Sequence, residues 1–207
     1  MKKINFLKHL INGNQFIINW FNKKREESDM VVEEIGINDL DKWNVDPDTG
    51  NIKHESGGFF EVIGVKASNT FDREVGKKGW TQPMIAKNPG GILGIIMKRI
   101  NGIPHYLLQA KAEPGNINSI QISPTVQATK SNYLRKHGGK KTPYLNFFLK
   151  KNSNIKILSN VKLSEQGTRF LGKKNRNILL ELKNKSFKPK GNFVWLTKKN
   201  IKFLLKK

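Results

Sequence analysis

Six side chains in this sequence have the acid–base or anion-binding character that catalysis draws on, and all sit in glycine-rich stretches. They are His54 in IKHESGGFF, Glu113 in AKAEPGN, Tyr133 and His137 in SNYLRKHGG, and Glu165 and Arg169 in SEQGTRF. Positioned imidazole, carboxyl and phenol groups move protons at a reacting centre. A guanidinium forks onto phosphate or carboxylate oxygens. Taken one at a time, such residues are more often structural than catalytic. Their recurrence beside loops that let backbone approach a ligand is what sets them apart.

A second feature lies between two of these stretches. Residues 119–133, SIQISPTVQATKSNY, carry one charge, Lys130, in a chain where Lys and Arg together number 38 of 207. The odd positions Ser119, Gln121, Ser123, Thr125, Gln127 and Thr129 are neutral hydrogen-bonding residues. The even ones from Ile120 to Ala128 are apolar apart from Pro124. On the preceding segment Gln109, Lys111 and Glu113 alternate with Leu108, Ala110 and Ala112, the period of a strand. A five-residue connection, Pro114 to Asn118, pairs Glu113 with Ser119, Lys111 with Gln121 and Gln109 with Ser123. That register keeps both polar rows on one face, whereas a one-residue slip would bury Gln121 and Ser123. Pro124 cannot donate to a ladder, which places it at an edge or a bulge. A solvent-facing strand of this protein would carry Lys. A nearly uncharged polar row predicts a partly enclosed wall for a neutral, hydroxyl-rich ligand such as a sugar.

Several familiar chemistries are excluded. The chain has no cysteine, hence no disulfide and no thiolate metal site. His9, His54, His105 and His137 are too dispersed for a metal signature. VVEEIGI matches the tail of a Nudix hydrolase box, but Asp29 and Met30 stand where Arg and Glu should precede it. Gln15 and Phe21 stand at its upstream Gly and Glu positions. GGILG, after Asn88 and Pro89, falls inside a strand and is no phosphate-binding loop, and there is no nucleophile elbow.

The elements that must position these residues read as one α+β domain. Apolar residues from Ile4 to Phe21 recur at helical spacing, with a break at NGN 12–14. SGGFFEVIGVKA reads as a strand, FDREVGKKGWTQP as a loop closed by Pro83, and 91–99, 104–113 and 118–129 as strands. A helical region starts at Thr142–Pro143, ILLEL is a short strand, and Thr197 N-caps a terminal basic helix. Residues 1–42 are expected to form a helical segment packed on a domain spanning 43–207. The N-terminus lacks the uninterrupted apolar core of a signal peptide, and no run reaches a membrane span. A soluble cytoplasmic protein is expected. The net charge is +22, of which residues 150–207 contribute +15 from 17 cations against 2 acids. Lys outnumbers Arg and is scattered among Asn and Ile, so the charge reads as a solvated surface more than as a nucleic-acid footprint.

Four stretches together carry a family resemblance: WNVDPDTGNIKHESGGFFEVIGV, GWTQPMI with GGILGII, LLQAKAEPGNINSIQISPTVQATKSNYLRKHGG, and SEQGTRF with NRN. From about residue 43 to 177 the chain resembles the NDP-hexose 2,3-dehydratases of deoxysugar biosynthesis. That family is built from two Nudix-like repeats in one chain, whereas a single repeat is present here. The resemblance therefore implies a Nudix-like α+β fold with a mixed or antiparallel sheet and flanking helices, and a homodimer that recreates the pair. It implies a nucleotide-diphosphate 4-keto-6-deoxyhexose as substrate, dTDP-linked, with a separate 3-ketoreductase consuming the product. It implies no cofactor and no metal. Under it, His137 and Glu113 are the leading candidates for base or acid, either in either role, with Tyr133 and His54 as alternates. Gln109, Lys111, Asn116, Gln121, Ser123, Thr125, Gln127, Thr129, Asn132, Gln82, Glu165 and Asn175 become substrate contacts. Arg169 and Arg176 become diphosphate ligands, and Trp80 or Tyr133 stacks on the base. The competing readings are a non-catalytic sugar-nucleotide or RNA-binding domain, and an enzyme acting on another nucleotide sugar.

Overall fold

The computed structural model describes residues 13–68, 77–87, 89–133, 140–150, 153–183 and 187–206. Residues 4–12 of the expected N-terminal helix, and His137, lie outside them. Helix α1 spans Asn14–Glu26, starting at the sequence break expected at 12–14. A smaller antiparallel sheet has the order β1 (Trp43–Val45), β2 (Ile52–His54), β3 (Glu61–Ala67), β4 (Trp80–Ala86). The β1–β2 hairpin is set by its turn residues. Asp46 accepts from the Thr49 N–H at 3.0 Å and hydroxyl at 2.9 Å, and pairs with Lys53 at 2.7 Å. Gly50 (φ 69°) supplies the left-handed residue that the turn needs.

Pro83 lies within β4 and so does not close a loop as its sequence suggested. It is opposite Gly64 of β3 in the ladder. Edge position explains the difference: among the described residues β3 is the one strand laddered to β4, whose far side meets a loop only at Ile85, and a proline is tolerated on a strand's free side.

The larger sheet has seven strands: β5 (Gly91–Ile100), β6 (Ile103–Ala112), β7 (Ile120–Ser123), β8 (Val126–Thr129), β9 (Ile155–Ser164), β10 (Lys174–Leu182) and β11 (Phe193–Thr197). Its main path is β11-β6-β5-β10-β9, with β7 added to β6 and β8 to β5. The β5–β10 pair is parallel and the others are antiparallel, so the sheet is mixed. Strands β9 and β11 have no counterpart in the sequence reading. β9 is exposed and broken by a bulge opposite Leu179/Leu180, which spoils its alternation.

Away from the exposed strand β9, both faces of this sheet are covered. On one, Ile92, Ile96, Leu107, Val126, Ala128, Ile178, Leu180, Phe193 and Trp195 pack with Leu145 and Phe148. Phe148 belongs to the short helix α3 (Asn146–Leu149), shorter than the helical region expected from Thr142–Pro143. Gly94 is required under it, since a Cβ there would meet the Phe148 ring at 2.3 Å. On the other face Leu108 and Leu196 pack with Ile17 of α1 and with Ile201 and Leu204 of α4 (Lys198–Leu204). The expected cap of α4 is present as a reciprocal capping box. Thr197 Oγ1 accepts from the Asn200 N–H at 3.2 Å, and Asn200 Oδ1 accepts from the Thr197 N–H at 3.0 Å.

Candidate active site at a forked sheet

The expected hairpin register is the one observed: Gln109 is opposite Ser123, Lys111 opposite Gln121, and Ala112 opposite Ile120. Beyond it the chain departs from the single strand expected over 118–129. Strands β5 and β6 are paired from Ile96/Leu107 down to their turn, then separate. β7 follows β6 and β8 follows β5, without pairing to each other, so the two form a fork with Pro124 and Thr125 at its apex.

Thr125 is almost fully buried, with 1% of its surface exposed. Its hydroxyl accepts from the Ile96 N–H at 2.9 Å and donates to the Leu107 carbonyl, the backbone groups where the parent strands part. Gln109, also buried, donates to the Pro124 carbonyl at 2.9 Å and holds the apex from the side. The fork also reverses the alternation. Gln121 and Ser123 lie opposite Lys111 and Gln109, in the row that continues to Leu107. On β8 that same face is taken by the core residues Val126 and Ala128. The uniform polar row read from 119 to 129 is therefore split between two faces.

Glu113 is where several predicted residues meet. Lys111 Nζ donates to Glu113 Oε1 at 2.6 Å, and Gln127 Nε2 donates to the same oxygen at 3.2 Å. Asn116 donates to the carbonyls of Lys111 and Ser119, both at 3.0 Å, and so braces the loop carrying Glu113. Where β5 begins, Thr129 and Ser131 share a hydroxyl–hydroxyl bond of 2.9 Å, and the exposed Asn132 turns its N–H toward Thr129. Gly90 and Gly91 let neighbouring backbone close in: a Cβ on either would meet the Lys174 or Ala128 carbonyl oxygen at 2.0 or 2.5 Å. Asn175, buried beside them, accepts from the Gly91 N–H at 2.9 Å and donates to Glu165. The fork thus presents a carboxylate held between an ammonium and an amide. That arrangement suits proton removal beside a carbonyl, with Lys111 available to a developing oxyanion.

The remaining predicted residues are elsewhere. Tyr133 ends helix α2 (Lys130–Tyr133) and packs its ring against the core cluster beneath α3. Gln121 is exposed and lines a second groove, of about 660 Å³, between α1 and α4. Arg176 reaches across to Asn160 at 2.8 Å, and Arg169 is exposed. His54 lies on the smaller sheet among Trp43 and Phe59, its ring 4.3 Å from the latter. Its Nδ1 accepts from the Ser56 N–H at 3.1 Å, which puts the proton of the neutral ring on Nε2.

A further groove of about 720 Å³ opens between that sheet and the β9–β10 loop, lined by Val65, Trp80, Gln82, Met84, Thr168 and Phe170 among others. Trp80 Nε1 donates to Gln82, whose amide donates to the Thr168 carbonyl, each at 2.6 Å. The same loop bonds Ile85 on both sides and, through Glu165, reaches Asn175. One loop therefore links the groove to the edge of the fork. The apolar lining from Val65, Met84 and Phe170 was not singled out in the sequence, where these residues look like ordinary core positions.

Among the described residues no cluster of His, Asp and Glu is arranged to hold a metal ion, and no helix is long and apolar enough to cross a membrane.

Residues 14–207 match the family described as NDP-hexose 2,3-dehydratase. The dTDP-4-dehydro-6-deoxy-alpha-D-glucopyranose 2,3-dehydratase of Streptomyces violaceoruber is 41% identical over 162 residues, 78% of this chain and 36% of that protein. Proteins of the same name from Saccharopolyspora spinosa and Amycolatopsis orientalis are 38% and 39% identical, over 90% and 86% of this chain. The chain spans 36–38% of the length of these relatives. Two solved structures, a C. elegans Ap4A hydrolase and an ADP compounds hydrolase, overlap it at a TM-score of 0.36 and 12% identity. They cover 57% and 86% of this chain, and the overlap takes in 88% and 86% of theirs.

Proposed function

From the premise that this chain belongs to the NDP-hexose 2,3-dehydratase family, we propose that it eliminates water across C2 and C3 of a nucleotide-linked 4-keto-6-deoxyhexose. The observation that carries this reading is the Lys111–Glu113–Gln127 cluster at the fork. The C4 ketone acidifies the C3 hydrogen. Glu113 takes that proton, the C3–H electrons form the C3–C4 enolate, and Lys111 with Gln127 donates to the negative oxygen. The enolate then expels the C2 hydroxyl, which leaves as water after taking a proton from an acid at the site. The resulting enol tautomerises to a 3,4-diketo sugar, which is reduced by a separate ketoreductase.

The partly apolar groove beside Trp80 is large enough for a nucleoside, and its loop joins it to the fork. Trp80 stacks there on the base in this reading. The protein works in the cytoplasm as a homodimer, on a soluble substrate whose nucleotide is dTDP. His137, between Tyr133 and the residues that follow, stays a candidate for the acid.

The test is incubation with several NDP-4-keto-6-deoxyhexoses and a trapping reductase, followed by mass spectrometry. Loss of one water before reduction is expected with at least one substrate. An unchanged mass with all of them refutes the reading. Glu113→Gln, checked for folding by circular dichroism, should slow the loss by about 10²–10⁴-fold.

A further inference from the structure

The acidic residues of this basic chain are unevenly placed. Seven of its 16 Asp and Glu lie within residues 26–41, a stretch without Lys or Arg. Inside it, Ser28–Gly36 takes no part in any helix or strand. It exposes Met30, Val31, Val32 and Ile35, Val31 to 79%. The stretch outside helix and strand is held at its ends, where the Ser28 N–H donates to Arg25 and the Gly36 carbonyl accepts from Asp39, and its charges are Asp29, Glu33 and Glu34.

The larger sheet offers the complement. Among the described residues β9 pairs with β10 alone, leaving one edge open along its ten residues. It exposes Ile157, Leu158, Val161 and Leu163, and its only charges are Lys156 and Lys162, with Arg176 opposite Lys162 on β10. A long apolar edge protected by two lysines is a pairing site unless something covers it.

We propose that residues 28–36 of one copy add as a strand to β9 of a second copy, and reciprocally. Length, apolar content and charge all match: nine residues against ten, three acids against two lysines. An extended segment added to an open sheet edge is a known way of joining chains, and the reciprocal exchange closes a two-fold dimer. The inference rests on the reading of this protein as a homodimer. It does not rest on the reaction, since its readout needs no substrate.

The test uses charge reversal in the full chain. E33K/E34K puts a basic arm against a basic edge, and K156E/K162E puts an acidic arm against an acidic edge. In analytical ultracentrifugation the wild type should sediment as a dimer and each variant alone as a monomer, with an unchanged circular dichroism spectrum. An equimolar mixture of the two should return to the dimer, because each arm then meets an edge of opposite charge. A monomeric wild type, or a mixture that stays monomeric, overturns the proposal. The absence of native cysteine allows a second measurement. Val32→Cys mixed with Ser159→Cys should be joined by a bis-maleimide. Joining in Ser159→Cys alone would mean that two β9 edges meet directly, and would overturn the proposal.

Discussion

Replacing Thr125 with valine isolates the device that holds the fork open. The substitution keeps the shape of the side chain and removes one hydroxyl, which serves the Ile96 N–H and the Leu107 carbonyl together. Both backbone groups lie where β5 and β6 part, at residues with no measurable exposure, so water does not replace the lost partner. An unsatisfied buried polar group costs roughly 1–3 kcal/mol. With two groups affected and some relaxation, the expected loss is about 3 kcal/mol. For a chain of this size that corresponds to a fall in Tm of about 6–12 °C. Urea denaturation followed by tryptophan fluorescence should show a lower midpoint with an unchanged slope, and Thr125→Ser should recover most of it. Gln127 lies two residues beyond the apex and reaches Glu113 from there, so turnover of Thr125→Val should fall even where the protein is fully folded. A stability loss under about 0.5 kcal/mol would refute the argument, because the hydroxyl would then be replaceable and the apex not held by it.

Three other substitutions probe separate parts of the molecule. Glu113→Gln should lower kcat by about 10²–10⁴-fold with little change in thermal stability, the range for losing a general base. Gly94→Ala drives a methyl into the Phe148 ring and should cost roughly 1–3 kcal/mol by overpacking, with Phe148→Leu as a compensating second change. Asp46 is held well below the usual carboxylate range, first by Lys53 and then by the two Thr49 donors. Its folded-state pKa is depressed, so its contribution is present above the ordinary carboxylate pKa and lost as the pH falls through the folded value. Asp46→Asn should therefore flatten the acid limb of a Tm-against-pH profile, with Trp43 fluorescence following the β1–β2 hairpin.

What could be read from residues alone followed the range of the interactions that decide it. The β6–β7 register was legible because an odd-length loop between two alternating rows leaves one arrangement that buries the apolar side. The cap at Thr197 was legible because its two bonds span three residues. Pro83 misled, because whether a proline breaks a strand depends on which side of the sheet is free, and that is settled by β3 sixteen or more residues earlier. β9 escaped notice for a related reason. Its side chains face solvent almost throughout, so burial imposes no pattern on the sequence that could mark it.

The polar row at 119–129 failed more instructively. Its alternation is regular through Thr125, and nothing local marks that threonine as different from Ser123 or Gln127. The distinction comes from the separation of β5 and β6, which sends β7 and β8 to different neighbours and gives the hydroxyl two backbone groups to serve. The same break explains why the row is nearly free of lysine without being a continuous ligand wall. Ser123, Thr125 and Gln109 are uncharged because they are buried in the sheet; Gln127 is uncharged because it donates to Glu113. Lack of charge was a sound sign of enclosure, but much of the enclosure belongs to the protein's own backbone. The substrate contacts expected at five positions of the row are narrowed to its open end. There a change at Gln127 should alter turnover more than one at Ser123, and a Ser123→Ala variant as impaired as Gln127→Ala would return the wall to its full length.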